Sequence, residues 1–527
     1  RHVPLGSTLA SGTGHNVTAH GTAALNALSF LNQWPSIART LTLQGATLNN
    51  SGEISGVEGL TTTLTGALTQ QQNAALLSGG TLDVHAATVD NAGRMQGKDL
   101  LLSSGGVTNS GRMQGDSSLQ LNAGGRLTNN ASGTLLTQNG LTLTAPELYN
   151  YGVIQGATSR IATSGLASNS GKLLSSADLT LNAPQLVNSG WLQASQLVLN
   201  AASASNSGTL MADQQATLTG NSLQNQGTAQ GGNLAVNYAQ LTNSGTLLGA
   251  NQLNVKATNV TQQAAGKLFS GGNLLLESTG FDQLGQVVAL GDATLKLING
   301  FTARNILAAG NRLSISSNGA IDNQGTLQGQ ALTLGAGGDL TNTGQITTGT
   351  GDSSLSGNRI TMNGAGTLQG GGNVALPSRS DVALNGFTGT SGSLTISSPG
   401  SIVNTALLYA GQNLYLYANS IQNQRGDVLA GNSLWMQRDA AGNANGEVIN
   451  TSGTIESQNG DITIKTGHLL NTRDALSTSE QVTQLAVPAW ATGTNVNIPL
   501  SWLSPDAYGL YASPSEPPPG ARLHWHP

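Results

Sequence analysis

The chain has 527 residues, far more than one ordinary domain, and only 9% of them are charged, against about 25% in typical soluble proteins. So little charge argues against a disordered acidic or basic tail, and a net charge of −5 with no basic stripe makes nucleic acid an unexpected partner. There is no cysteine, which suits a protein exported unfolded that must not cross-link on the way.

No window approaches 18 consecutive apolar residues, so no helix is expected to span a bilayer. The chain starts at Arg1 without a signal-peptide pattern and is expected to be a piece of something longer. Residues 1–40 lack a clean repeat and read as an N-terminal coil or cap, with Leu25 to Trp34 as a capping turn or a coil of different shape.

From about residue 41 the chain repeats. A short apolar-x-apolar strand recurs, for example Leu100-Leu101-Leu102, Leu179-Thr180-Leu181 and Leu197-Val198-Leu199. Between Leu82 and Ile462 its mean spacing is 20 residues, and every step but the last lies between 18 and 22. A second marker, Asn-x-Gly, runs in phase, as in Asn169-Ser170-Gly171, Asn188-Ser189-Gly190 and Asn206-Ser207-Gly208. A third segment follows, as in Gly208-Thr209-Leu210-Met211-Ala212.

Each unit therefore holds about three short alternating strands, with Leu, Ile and Val on one face and Thr, Ser and Gln on the other. Gly is expected to supply corner backbone angles, and Asn to tolerate the left-handed region. One Asn per unit can also stack into an internal amide ladder. The units are too short for propeller blades and lack the helical segment of leucine-rich repeats. The expected fold is all-β: a right-handed parallel β-helix of about 22 coils of roughly 20 residues, followed by an irregular Pro/Trp-rich segment.

Residues 41–255 read as a regular stalk, with the register tightest between about 82 and 255, and the pattern loosens over 256–475. There Phe281 to Gly285, Phe301 to Asn305 and Asn385-Gly386-Phe387 replace the Asn-x-Gly marker. The step from Leu434 to Ile462 is 28, implying an inserted loop around Arg438 to Glu447. Beyond about 475 the period ends: eight of the 14 Pro lie past residue 480, with Trp490, Trp502 and Trp525. Proline cannot sit in central strands, so 476–527 is expected to be a cap or the start of another domain.

The pattern L-x-L-x-A…L-x-N-S-G-x-L resembles the haemagglutinin-type repeats of two-partner-secreted exoproteins. That group includes filamentous haemagglutinin and the CdiA-type effectors of contact-dependent growth inhibition. The likeness covers roughly 41–475. Regular coils, irregular coils and a Tyr/Pro-rich segment in that order are similar to the middle of a CdiA-type filament. The resemblance implies a secreted, cell-surface location on a Gram-negative bacterium and a stalk leading into a receptor-binding region over 256–475. It also implies an outer-membrane transporter engaging a missing N-terminal region. The partner it implies is an outer-membrane protein or lipopolysaccharide on a neighbouring cell, and the filament is expected to be a monomeric rod. A host-directed adhesin binding glycans or matrix is the second reading.

Catalysis is not expected, although polysaccharide-cleaving β-helices exist. Such chemistry needs carboxylates facing one groove. Asp427 with Glu447 and Glu456 with Asp474 have near-coil spacing, but the exposed positions are mostly Thr, Ser or Ala. His524 and His526 lie in the proline-rich tail and the other histidines are scattered, so neither a metal nor a cofactor is expected. Gly370-Gly371-Gly372 precedes a strand and lacks a Walker lysine, so it reads as a coil corner.

One surface feature departs from the repeat. The outward middle residue of the first strand is small or polar at Thr142, Thr180, Thr217, Ser314, Thr333, Ala375 and Thr395, then becomes Tyr415 and Trp435. Tyr417 stands beside Tyr415, and Arg425, Asp427, Arg438 and Asp439 lie nearby in sequence. Stacked coils should hold these rings about 4.8 Å apart. Exposed Tyr, Trp and Arg together are typical binding hot spots. The candidate receptor-binding residues are therefore Tyr415, Tyr417, Trp435, Arg425, Arg438 and Asp439.

Overall fold

The computed structural model describes residues 16–474, together with the backbone strands Thr8–Ser11, Asn495–Ile498 and Ala521–His524. It is all-β, a parallel solenoid of about 24 turns of about 19 residues, as expected for a right-handed parallel β-helix. The chain forms two compact units, Arg1–Ala239 and Gln240–Pro527. Most of the Pro/Trp-rich segment 476–527 lies outside the described residues. Within it Asn495–Ile498 pairs antiparallel with Ala521–His524.

In the first unit many strands are long and bend around the coil, as in Trp191–Asn206, where buried and exposed positions largely alternate, while the coils between Leu127 and Ser175 use short ones. Consecutive coils pair in parallel with inward residues in columns: Leu179 on Leu197, Leu181 on Leu199, and Asn188 on Asn206. The solenoid already includes residues whose repeat is hard to see. Thr22–Asn32 pairs with Ser36–Asn50, placing Leu25 on Leu43 and Asn32 on Asn50. Its inward residues Ala23, Leu25, Ala27 and Phe30 are buried. Their varied sizes hide a period that consists of position alone.

The Asn of each Asn-x-Gly marker points inward and builds the amide ladder. Asn91 Nδ2 donates to Asn109 Oδ1 at 2.9 Å, and the chain of bonds continues through Asn129, Asn150, Asn169, Asn188 and Asn206 to Asn225. The same nitrogens reach backbone carbonyls, as in Asn188 to Thr209 O at 3.1 Å. Buried amides satisfied on both sides in this way add directional bonds to an otherwise apolar core.

The marker's Gly has a different reason from the expected one. A Cβ at Gly190 would lie 2.2 Å from Gly171 O, and one at Gly208 would lie 2.1 Å from Gly190 O. Among the described residues positive φ occurs at Asn73, Arg425, Ser452 and Gly442, and at no marker Gly or ladder Asn. Close approach of adjacent coil backbones selects these glycines, not a left-handed corner.

From Gln286 onward the second unit uses short strands, three to a coil, such as Leu414–Tyr417, Ser420–Gln424 and Asp427–Ala430. Where the marker is lost, apolar groups enter the ladder column: Ala303 stacks on the amide of Gln283, and Met362 stacks on Leu384. The replacing aromatics Phe281 and Phe301 are core residues, with ring centroids 5.6 Å apart. The ladder resumes as Asn404, Asn423, Asn450 and Asn471.

Candidate functional site

The first strands of four successive coils stack Thr395, Tyr415, Trp435 and Thr463 in one outward column. Leu414, Leu416, Leu434 and Met436 point into the core on either side, so period-2 alternation fixes the rings outward. The Tyr415 and Trp435 rings are stacked, with centroids 4.8 Å apart and planes at 15°. Tyr417 lies 6.0 Å from Tyr415 at 41°. All three rings are partly exposed. Because their column neighbours Thr395 and Thr463 are small, the outer faces of the pair are not matched by further rings.

Asn413 Nδ2 donates to Tyr415 Oη at 3.2 Å, holding the phenol on its own strand. Burial first, then Tyr415 and the Asp439 carboxylate, hold the Tyr417 hydroxyl above its ordinary range.

The insertion leaves the corner after Leu434–Gln437 and is an ordered turn. Arg438 N donates to Asn443 O at 2.9 Å, and Gly442, at φ 86°, donates from its N to Asp439 O at 3.2 Å. The Asp439 carboxylate accepts from Asn443 Nδ2 at 2.8 Å and Asn443 N at 3.2 Å. Those two bonds are the main reason its pKa is held below the usual carboxylate value, with Arg438 adding to the effect. Gln437 Nε2 ties the loop base to Asp439 O at 2.8 Å, and Asn445 Nδ2 anchors its far end to Ala418 O at 2.9 Å. Arg438 reaches Asn419 Oδ1 at 3.3 Å.

Five of the six candidates thus cluster on one strand face and its adjoining corner. Arg425 does not. It occupies the corner between Ser420–Gln424 and Asp427–Ala430, at φ 56°, and its guanidinium binds Asp474 with Nε to Oδ2 at 2.6 Å. Sequence proximity misled because a corner turns the chain away from the preceding face within a few residues. Lys465 was missed: a Cβ at Gly442 would come within 3.0 Å of its Nζ, placing the ammonium beside the loop tip. Its signal was the one-coil offset from the insertion.

The acid pairs with near-coil spacing do not share a face. Asp427 begins a third strand, whereas Glu447 begins a second strand and accepts from Ser420 Oγ at 2.8 Å. Glu456 lies on the third-strand column while Asp474 is held by Arg425. Among the described residues no group of three His, Asp or Glu could hold a metal ion, and no helix is long and apolar enough to cross a membrane. A polar open groove of 520 Å³ runs along the second unit between Asn259, Thr261, Asp282, Thr302 and Arg304, with Arg304 Nη1 bonded to Asp282 Oδ1 at 2.8 Å.

The haemagglutinin repeat model matches residues 36–131, 116–183, 156–204, 189–232 and 229–297. Over 511 residues the chain is 48% identical to a tRNA nuclease CdiA of Escherichia coli, covering 96% of this chain and 16% of that protein. It is 46% identical over 482 residues to an Escherichia coli Toxin CdiA, covering 90% of this chain and 15% of the other. A Deoxyribonuclease CdiA of Dickeya dadantii is 38% identical over 490 residues, 92% of this chain and 13% of its own. The chain therefore spans less than a fifth of the length of these relatives. No solved structure matches.

Proposed function

We propose, for a chain that belongs to the CdiA-type group of the filamentous haemagglutinin family, that its second unit carries the receptor-recognition surface of a contact-dependent inhibition filament. The nuclease names of the relatives differ while their similarity to this chain persists, which supports a shared filament segment and not the toxic activity itself. On this reading the segment is non-enzymatic and displayed at the surface of a Gram-negative cell. A two-partner-secretion transporter exports it through a region outside this chain. The partner is an outer-membrane protein or lipopolysaccharide on a neighbouring bacterium.

The observation that carries the reading is the Tyr415–Trp435 stack beside the ordered insertion at Arg438 to Asn445. In a solenoid whose outward first-strand positions are mostly small or polar, with Leu101, Val198 and Leu275 as aliphatic exceptions, this is a pair of stacked rings left partly exposed, apolar surface kept in contact with water. Aromatic, arginine and acidic groups around an anchored loop form a surface suited to a protein or glycan partner.

The test is staining of bacteria by the fluorescently labelled chain, using wild-type targets and strains lacking individual outer-membrane proteins or lipopolysaccharide layers. Tyr415→Ala with Trp435→Ala should reduce staining at least tenfold while the far-ultraviolet β signature persists. Undiminished staining by the double variant overturns this surface. Staining of eukaryotic cells but no bacterium would favour the host-adhesin reading.

A further inference from the structure

The pentapeptide Gly-Arg-Met-Gln-Gly occurs twice, at 93–97 and 111–115, one coil apart. The two copies stack residue on residue: Arg94 on Arg112, Met95 on Met113, Gln96 on Gln114 and Gly97 on Gly115. Met95 and Met113 are fully buried, so alternation turns both arginines outward, where both are exposed. Their column reads Glu53, Ala75, Arg94, Arg112, Thr134.

Two like charges directly opposite each other in a ladder repel. Elsewhere this sparsely charged chain pairs several of its arginines: Arg39 with Glu58, Arg126 with Glu147, Arg304 with Asp282 and Arg425 with Asp474. Among the described residues no ion pair forms at Arg94 or Arg112. The nearest carboxylate on the strand, Asp116, is taken by amides, accepting from Gln96 Nε2 at 2.9 Å and Gln114 Nε2 at 2.8 Å. Gln114 in turn accepts from Arg112 Nε at 2.8 Å, which fixes that side chain and leaves its terminal nitrogens outward. Glu53 lies two coils away, separated by the small Ala75.

Both arginines line an open groove of 720 Å³, walled by the turn that carries Asn73 in the left-handed region at φ 67°; Glu53, two coils from Arg94 and accepting from Ser55 Oγ at 3.0 Å, also lines it. We propose that Arg94 and Arg112 form an anion-binding site for a phosphate-bearing ligand. One guanidinium satisfies a carboxylate in a planar fork, whereas tetrahedral phosphoryl oxygens can meet donors on two coils at once. The source of the phosphoryl group is either a phospholipid headgroup or a phosphorylated glycan.

The experiment is calorimetric titration of the full chain with inorganic pyrophosphate. Binding should weaken at least tenfold in Arg94→Gln and in Arg112→Gln and vanish in the double variant. Arg126→Gln, which removes an equal charge from a paired site in the same unit, should leave it unchanged. Retained binding in the double variant, or equal loss in Arg126→Gln, overturns the site. Vesicles of phosphatidylcholine with and without phosphatidylglycerol separate the sources. Co-sedimentation that needs phosphatidylglycerol and both arginines assigns a lipid headgroup, and pyrophosphate binding without co-sedimentation assigns a phosphorylated glycan.

Discussion

Gln70 and Asn91 are adjacent rungs of the amide column that do not bond to each other. They pair in register, yet Gln70 Nε2 donates to Arg94 O at 3.0 Å, and Asn91 Oδ1 is buried without a hydrogen-bond donor. The extra methylene carries the glutamine amide past the rung above it. Its Oε1 still accepts from Asn50 Nδ2 at 2.6 Å, so the break is one-sided.

Gln70→Asn should therefore close the gap, the Nδ2 of the shortened side chain reaching Asn91 Oδ1. Removing one buried orphan acceptor is worth about 1 kcal/mol. Amide exchange in the coils flanking residue 91 should slow by roughly fivefold in the variant. Unchanged exchange would mean that the orphan already has a water partner.

A cut in the middle of the ladder should behave non-additively. Asn188→Leu removes the acceptor of Asn169 Nδ2 and the donor to Asn206 Oδ1, leaving orphan groups on both sides at a cost of about 2–4 kcal/mol. Adding Asn206→Leu merely moves one of those ends to Asn225, so the double variant should lose little more than the single. Met362 on Leu384 shows that two adjacent apolar rungs fit this column. Denaturant unfolding of both variants checks the claim, and fully additive losses would contradict it.

The glycines separate two kinds of position that composition cannot distinguish. Gly190→Ala places a methyl 2.2 Å from a backbone oxygen of the coil below, which cannot move without parting the coils. It should destabilise by at least about 2 kcal/mol, on the scale of other core overpacking. At Gly140 a Cβ would meet nothing within 4 Å, and Gly140→Ala should be neutral or stabilise by about 0.5 kcal/mol through the unfolded chain. Melting temperatures that fall equally in both would refute the distinction.

Much of this architecture was legible because a β-helix writes its geometry as period: the inward leucines, the ladder asparagines and the Tyr415–Trp435 register all follow from spacing alone. What escaped the sequence is whatever depends on the third dimension of a corner. The marker Gly was assigned a left-handed role, whereas its cause is a carbonyl one coil back in the chain. Arg425 was grouped with residues that its corner turns it away from, and Lys465 was overlooked because the insertion folds onto the next coil. The outward third-strand positions likewise change from Gln193 and Gln230 to Leu248, Phe269 and Val288, which are buried although alternation alone would expose them.

The insertion should respond to acid through Asp439. Its folded pKa lies below the ordinary value, so the unfolded loop binds a proton more readily than the folded one. The contribution is therefore fully present above about pH 4 and disappears as pH falls through the depressed folded value. The bonds at stake are those from Asn443 N and Nδ2, so exchange protection at Asn443, corrected for the intrinsic pH dependence of exchange, should drop on acidification. The ladder amides of Asn188 should keep theirs. In Asp439→Asn one acceptor oxygen remains but no charge, so protection at Asn443 should be lower at neutral pH and no longer vary across the acid range. An acid limb that survives in Asp439→Asn would assign the transition to another group.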